Sequence, residues 1–158
     1  MSRKRILIDC DGVLADFTTS CVQLINAKLN RSYSVEDVKH WDIFKNFNVK
    51  EYEYILEYAI NEEKFCENLP VLKGAVEALK KIEKDFGNVY IVTAPYHGHT
   101  WVSARNKWSN QHFGIERDRI VHTHSKHVVQ GNALIDESRK NLAIWSRHYE
   151  NSIPILWN

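Results

Sequence analysis

The stretch Ile6-Leu7-Ile8-Asp9-Cys10-Asp11-Gly12-Val13-Leu14-Ala15-Asp16-Phe17 decides how the rest of the chain is read. Three apolar residues run straight into two carboxylates one residue apart, with a glycine and then a third carboxylate behind them. A short apolar run that stops at a glycine reads as a buried strand. A carboxylate buried without a partner is costly, so two of them at the end of such a strand point to a use. The uses that fit are holding a hard cation through oxygen and doing chemistry on a group that the cation also holds. Strand alternation turns Cys10 away from Asp9 and Asp11.

Working outward, the 158 residues suit one domain with room for a small inserted subdomain, and they are enough to bury a core. A hydrophobic content of 44% and a charged content of 26% are those of a soluble globular protein. With 21 Lys+Arg against 20 Asp+Glu the net charge is +1. That excludes the basic excess of a non-specific nucleic-acid binder, so no stable nucleic-acid partner is expected. Cys10, Cys21 and Cys66 form an odd set without CxxC spacing, which fits free thiols and a cytoplasmic location. No stretch approaches a membrane span, and no membrane partner is expected. The basic start, Met1-Ser2-Arg3-Lys4-Arg5, reads as a solvated lead-in to the first strand rather than a targeting signal. Composition leaves the oligomeric state open between monomer and homodimer.

Periodicity supplies the elements. Thr19 or Ser20 is positioned to cap a helix running to about Leu29, where Asn30 stops it. Ser34-Val35-Glu36-Asp37 resembles a capping box. A further helix is expected from Val49 to about Ile60, and Phe65 to Pro70 reads as a return loop. Lys73 to Phe86 is an amphipathic helix with Gly87 placed as its C-cap. Strands are expected over 89–92, 120–122, 133–135 and 153–156, with helices from Thr100 to His112 and from Ser138 onward. Strand and helix alternate through the second half, which makes the fold α/β: a Rossmann-like parallel sheet with helices on both faces. The helical block between Phe17 and Pro70 interrupts the alternation. It reads as a small cap of residues 18–70 over a core of 1–17 and 71–158.

In such sheets ligands sit beyond the carboxyl ends of the strands. The residues that end the expected strands are Asp9 and Asp11, then Thr93, then Asp136, with Lys126 in the preceding loop. Asp9 and Asp136 can hold Mg2+, which prefers oxygen ligands and needs few from protein. A carboxylate at Asp9 can attack phosphorus, and Asp11 can pass a proton to the leaving oxygen and take one back from water. Thr93 offers a hydroxyl and a backbone N–H to phosphate, and Lys126 a charge for the transition state.

The run Asp9-Cys10-Asp11-Gly12-Val13-Leu14-Ala15-Asp16 fits the DxDGxxxD pattern of the haloacid dehalogenase superfamily, and Thr93, Lys126 and Leu134-Ile135-Asp136-Glu137 fit its later motifs. Within it the chain most resembles the 5'(3')-deoxyribonucleotidases, through Asp11 to Phe17, Leu69-Pro70 with Gly74-Ala75, and the spacing from Lys126 to Asp136. The resemblance implies a Mg2+-dependent phosphatase of nucleoside monophosphates that works through an aspartyl-phosphate. It makes Asp9 the nucleophile and Asp11 the general acid/base. Asp9, Asp136 and the Asp11 backbone carbonyl become metal ligands, and Thr93, Ala94 and Lys126 hold the phosphate. Glu137, where related sequences often carry a second Asp, is expected to reach a metal-bound water.

Other readings stand beside these. The substrate can instead be another small phosphorylated metabolite or a nucleic-acid terminal phosphate, or the chain can bind phosphate without catalysis. Phe17, Trp41 and Phe44 are candidate base-stacking residues, as a nucleotide pocket needs aromatic rings, and equally serve as the core of the insertion. Asp16 reads as a structural tie in the turn. Arg105 and Lys107 read as exposed helix residues, and Trp101 and Trp108 as helix-to-sheet packing. His97, His99, His122, His124 and His127 cluster in sequence around two of the strand-end loops. The default for them is surface histidine, with zinc ligation and substrate contact as alternatives.

Overall fold

A computed structural model describes residues 4–40, 42–48, 50, 51, 53–55, 57, 63–96 and 100–157, with the backbone alone for Phe44 and Glu63. Five strands, β1 Lys4–Ile8, β2 Gly87–Thr93, β3 Ile120–His122, β4 Ala133–Asp136 and β5 Ile153–Leu156, form one sheet in the order β3-β2-β1-β4-β5. Every pairing is parallel. The helices are α1 Phe17–Leu29, α2 Glu63–Glu67, α3 Ala75–Asp85, α4 Trp101–Phe113 and α5 Arg139–His148.

Alternation along β1 divides the core. Ile6, Ile8 and Cys10 join residues of α1, α3 and α4 in one buried cluster, whereas Leu7 packs with Val92, Leu134, Leu142 and Trp145 under α5. Both faces are therefore covered, as a parallel sheet requires. Because β1 lies between β2 and β4, the chain direction around the sheet reverses at its carboxyl end, which opens a crevice there.

Several boundaries differ from the sequence reading. α1 starts at Phe17, one turn before the expected cap, because the Asp16 carboxylate accepts the Thr19 N–H at 3.1 Å. Asn30 ends it in the left-handed region, φ 49. Gly87 does not cap α3: Phe86 does, and Gly87, at φ 136, is the first residue of β2. The expected return loop begins instead inside α2. Residues 50, 51, 53–55 and 57 are helical, and the remainder of the expected helix 49–60 lies outside the described residues.

The excursion between β1 and α3 is closed at its base. Ala15 bridges Val71, Asp16 N–H donates to the Pro70 carbonyl at 2.8 Å, and Leu72 N–H donates to the Leu14 carbonyl at 2.8 Å. Among the described residues, no helix is long and apolar enough to cross a membrane.

Candidate active site

The carboxyl edge of the sheet gathers the expected strand-end residues. Asp9 continues the β1–β4 ladder through its N–H to the Ile135 carbonyl at 2.9 Å. Asp136 ends β4 and is fully buried. Lys126 lies in a short helical turn between β3 and β4, and its Nζ is 2.7 Å from Asp9 Oδ1 and 2.7 Å from Asp136 Oδ2. α5 holds that turn from behind: Trp145 Nε1 donates to the Val129 carbonyl at 2.9 Å and the Tyr149 hydroxyl to the His127 carbonyl at 2.9 Å. Burial pushes the Lys126 ammonium down, and the two carboxylates beside it more than reverse that.

Asp136 is oriented by groups that sequence reasoning missed. Its Oδ1 accepts the Ser138 N–H at 2.7 Å, and Asn141 Nδ2 approaches both oxygens at 3.4 and 3.3 Å. Ser138 also caps α5 by accepting the Asn141 N–H. One helix start therefore both caps itself and steers the acid before it.

Asp9, Asp136 and Glu137 each offer a carboxylate oxygen within 4.8 Å of the others. Burial, then the Asp9 charge, pushes Glu137 up to about 9, and burial likewise raises Asp9 against the pull of Lys126. Glu137 Oε2 is buried without a hydrogen-bond partner. An all-oxygen donor set with an orphaned buried oxygen fits a hard divalent cation, which would displace the Glu137 proton on binding.

Asp11 is placed differently. Its side chain turns to Arg105, whose Nη2 donates to Oδ1 at 2.6 Å while Nη1 donates to Cys10 Sγ at 3.0 Å; Cys10 and Asp11 thus face the same guanidinium, against the expected alternation, because β1 ends at Ile8. This corrects the sequence reading of Arg105 as an exposed helix residue: it is fully buried. Lys107 is exposed, as expected, and pairs with Glu67 at 2.8 Å. Gly12 follows in the left-handed region, φ 79, where a side chain would also meet Glu137.

Thr93 ends β2 and Ala94 lies just beyond it; the strand runs beside β1 in register Ile8 with Ile91. Thr93 is 1% exposed, and its carbonyl accepts the Thr123 N–H at 2.9 Å. Beyond this edge opens a pocket of about 550 Å³. Asp11, Gly12 and Glu137 line its base, Phe17 and Tyr96 one wall, and Val35, Val38, Lys39 and Ile43 the other. Phe17 stacks on Tyr96 with centroids 5.6 Å apart and rings inclined by 19°. Its ring is thus both core and pocket wall. Trp41, His97 and His99 lie outside the described residues, as does the Phe44 side chain. His122 Nε2 pairs with Asn106 Oδ1 at 2.9 Å, and the His127 ring sits 5.0 Å from that of His148. Among the described residues, no histidine joins a cluster of three metal-ligating side chains.

Comparison with known proteins places this geometry. A hydrolase from Streptococcus pneumoniae TIGR4 has the same fold, with a TM-score of 0.61 at 15% identity over 100% of this chain and 94% of that one. A haloacid dehalogenase-like family hydrolase from Streptococcus pneumoniae superposes with a TM-score of 0.54 at 10% identity, covering 96% and 93%. In sequence the chain is 29% identical over 142 residues to a 5'(3')-deoxyribonucleotidase from Bacillus subtilis, covering 89% of this chain and 79% of that protein. Residues 3–154 match the family of the 5' nucleotidase, deoxy (pyrimidine), cytosolic type C protein. The chain belongs to that family, within the haloacid dehalogenase fold, and is a phosphoric monoester hydrolase of the nucleotidase type.

Proposed function

We propose that the protein is a Mg2+-dependent phosphatase of deoxyribonucleoside monophosphates that works through an aspartyl-phosphate on Asp9. The observation that carries this reading is Lys126 Nζ at 2.7 Å from both Asp9 and Asp136. One cation neutralises the nucleophile's neighbourhood and is placed to donate to a phosphate oxygen. Asp9, Asp136 and the Asp11 carbonyl would hold Mg2+, with Glu137 beside them, and the ion would supply charge neutralisation to the phosphoryl group.

The Asp9 carboxylate attacks phosphorus, and the ester P–O bond breaks as Asp11 gives its proton to the leaving oxygen. Water then attacks the acyl-phosphate and returns a proton to Asp11, which releases phosphate and restores Asp9. Thr93, Ala94 and Lys126 hold the phosphate throughout. The names of relatives support the deoxyribonucleotide, and the Phe17–Tyr96 wall supports a stacked base. Residues 18–70 act as the cap that carries the opposite wall. Three free, buried cysteines support a reducing cytoplasm.

The test is phosphate release from a panel of phosphorylated metabolites, with Mg2+ and with chelator. Selective turnover of thymidine or deoxyuridine monophosphate, lost with chelator and reduced at least ~10³-fold in folded Asp9→Asn, is expected. Equal activity of Asp9→Asn would sink the mechanism. Selectivity for a sugar phosphate or a nucleic-acid terminus would replace the substrate.

A further inference from the structure

Arg105 has no part in the steps above, yet it is a fully buried charge next to them. Its side chain is 0% exposed. Nη2 donates to Asp11 Oδ1 at 2.6 Å and Nη1 to Cys10 Sγ at 3.0 Å, and Nε is buried without a partner. The guanidinium lies against two indoles of its own helix, with Cζ 5.1 Å from the Trp101 ring centroid and 5.3 Å from that of Trp108. Both indoles are themselves held. Trp108 Nε1 donates to the Leu69 carbonyl at 2.7 Å, and Trp101 stands edge-on to Phe17 and Tyr96.

A guanidinium always donates and never accepts, so a buried one needs an acceptor, and its planar fork fixes where that acceptor oxygen sits. Here the fork is clamped between rings before it reaches Asp11, and Asp11 is only 23% exposed. We infer that Arg105 is a positioning residue that holds Asp11 Oδ1 and so commits Oδ2 to the proton exchanged with the leaving oxygen. A free aspartate would sample its rotamers, whereas this one is fixed before substrate arrives. The inference rests on Asp11 being the general acid/base of the proposed reaction.

Its signature is a dependence on the leaving group. A nucleoside alcohol leaves only if protonated, whereas para-nitrophenolate leaves without help. The ratio kcat/KM covers the steps through departure of the alcohol, so it isolates this proton transfer from the later attack of water. Arg105→Met is expected to lower kcat/KM for thymidine monophosphate roughly 10²-fold, and for para-nitrophenyl phosphate less than about threefold. Arg105→Lys keeps the charge but not the fork and is expected to fall between. Adding Arg105→Met to Asp11→Asn should cost less than about twofold further on the nucleotide, because the arginine acts only through the aspartate.

Equal losses on both esters, or losses that multiply in the double variant, would overturn the inference. If thermal melting shows Arg105→Met to be unfolded, Arg105→Lys carries the same two-ester comparison. Wild-type protein that released no phosphate from either ester would instead overturn the proposed function beneath it.

Discussion

Lys126 and Arg105 are both buried cations, and they serve Asp9 and Asp11, two acids one residue apart. They do so by different means. Lys126 reaches in from a turn on the β3–β4 side and divides one compact ammonium between two carboxylates, each at 2.7 Å. Arg105 reaches across from α4 and gives Asp11 a planar fork stiffened by two indoles. A point charge tolerates any arrangement of anions around it, which suits a position shared between two carboxylates. A clamped fork tolerates one orientation, which suits an acid whose direction matters more than its charge. Removing either cation should therefore damage the protein in distinguishable ways.

Lys126→Met gives the largest effect. It leaves Asp9 and Asp136 buried side by side without compensation, a kind of defect that costs about 3–5 kcal/mol. Turnover is expected to fall ~10²–10³-fold with the loss of a transition-state charge. Melting curves should show Mg2+ raising the stability of this variant more than that of wild type, since an added cation replaces the missing one. An equal Mg2+ effect on both would break the contrast between the two cations.

Gly12→Ala tests the turn that follows the two acids. Its φ of 79 predicts a loss of about 1–2 kcal/mol, and the contact an added Cβ would make with the Glu137 side chain predicts lower turnover. Gly114 is the control: at φ 66, with nothing within 4 Å of where a Cβ would stand, Gly114→Ala should lose comparable stability with turnover unchanged. Chemical denaturation and phosphate release measure the two arms. Matched losses of activity would separate Gly12 from the site.

A further effect concerns protons on the Asp9 side. Glu137, at about 9 in the folded protein against an ordinary 4.5, keeps its proton while the unfolded chain gives it up. In chelator, the Glu137 contribution to stability should therefore fall as pH rises from about 4.5 to about 9. Glu137→Gln should flatten that slope in denaturation curves taken across the range. The Arg105 guanidinium itself contributes no slope there, because it stays charged throughout. Parallel curves for wild type and variant would place the proton elsewhere.

Much of this was legible in the residues. β3 and β5, the two edge strands, have the bounds that their apolar runs predicted, since each run is short and starts behind a polar residue. Asp9, Thr93 and Asp136 stood out because each follows an apolar run at which a polar group has no structural reason to be. Arg105 did not stand out. Its partner is 94 residues away in sequence, and long basic side chains on helices are mostly solvated. A signal was present, since Trp101, Arg105 and Trp108 share one helix face and two indoles seldom flank a solvated cation. Asn141 escaped notice because a helix-start amide reads as a cap neighbour, and only the fold turns it toward Asp136. Gly87 misled because a glycine after a helix serves as a C-cap or as a strand's first residue, and local sequence does not separate the two.

The closed base of the excursion between β1 and α3 has a consequence for how this protein can vary. Ala15 and Val71 meet across a bridge, and two backbone hydrogen bonds of 2.8 Å fasten the strands of chain on either side. The ends of the excursion are therefore fixed to each other and not only to the sheet. Lengthening a loop whose ends already meet costs little, about 0.6 kcal/mol for each doubling. The excursion is an interchangeable part: its length and wall residues can drift or be grafted to suit new substrates while the strand ends, and the acids on them, keep their places.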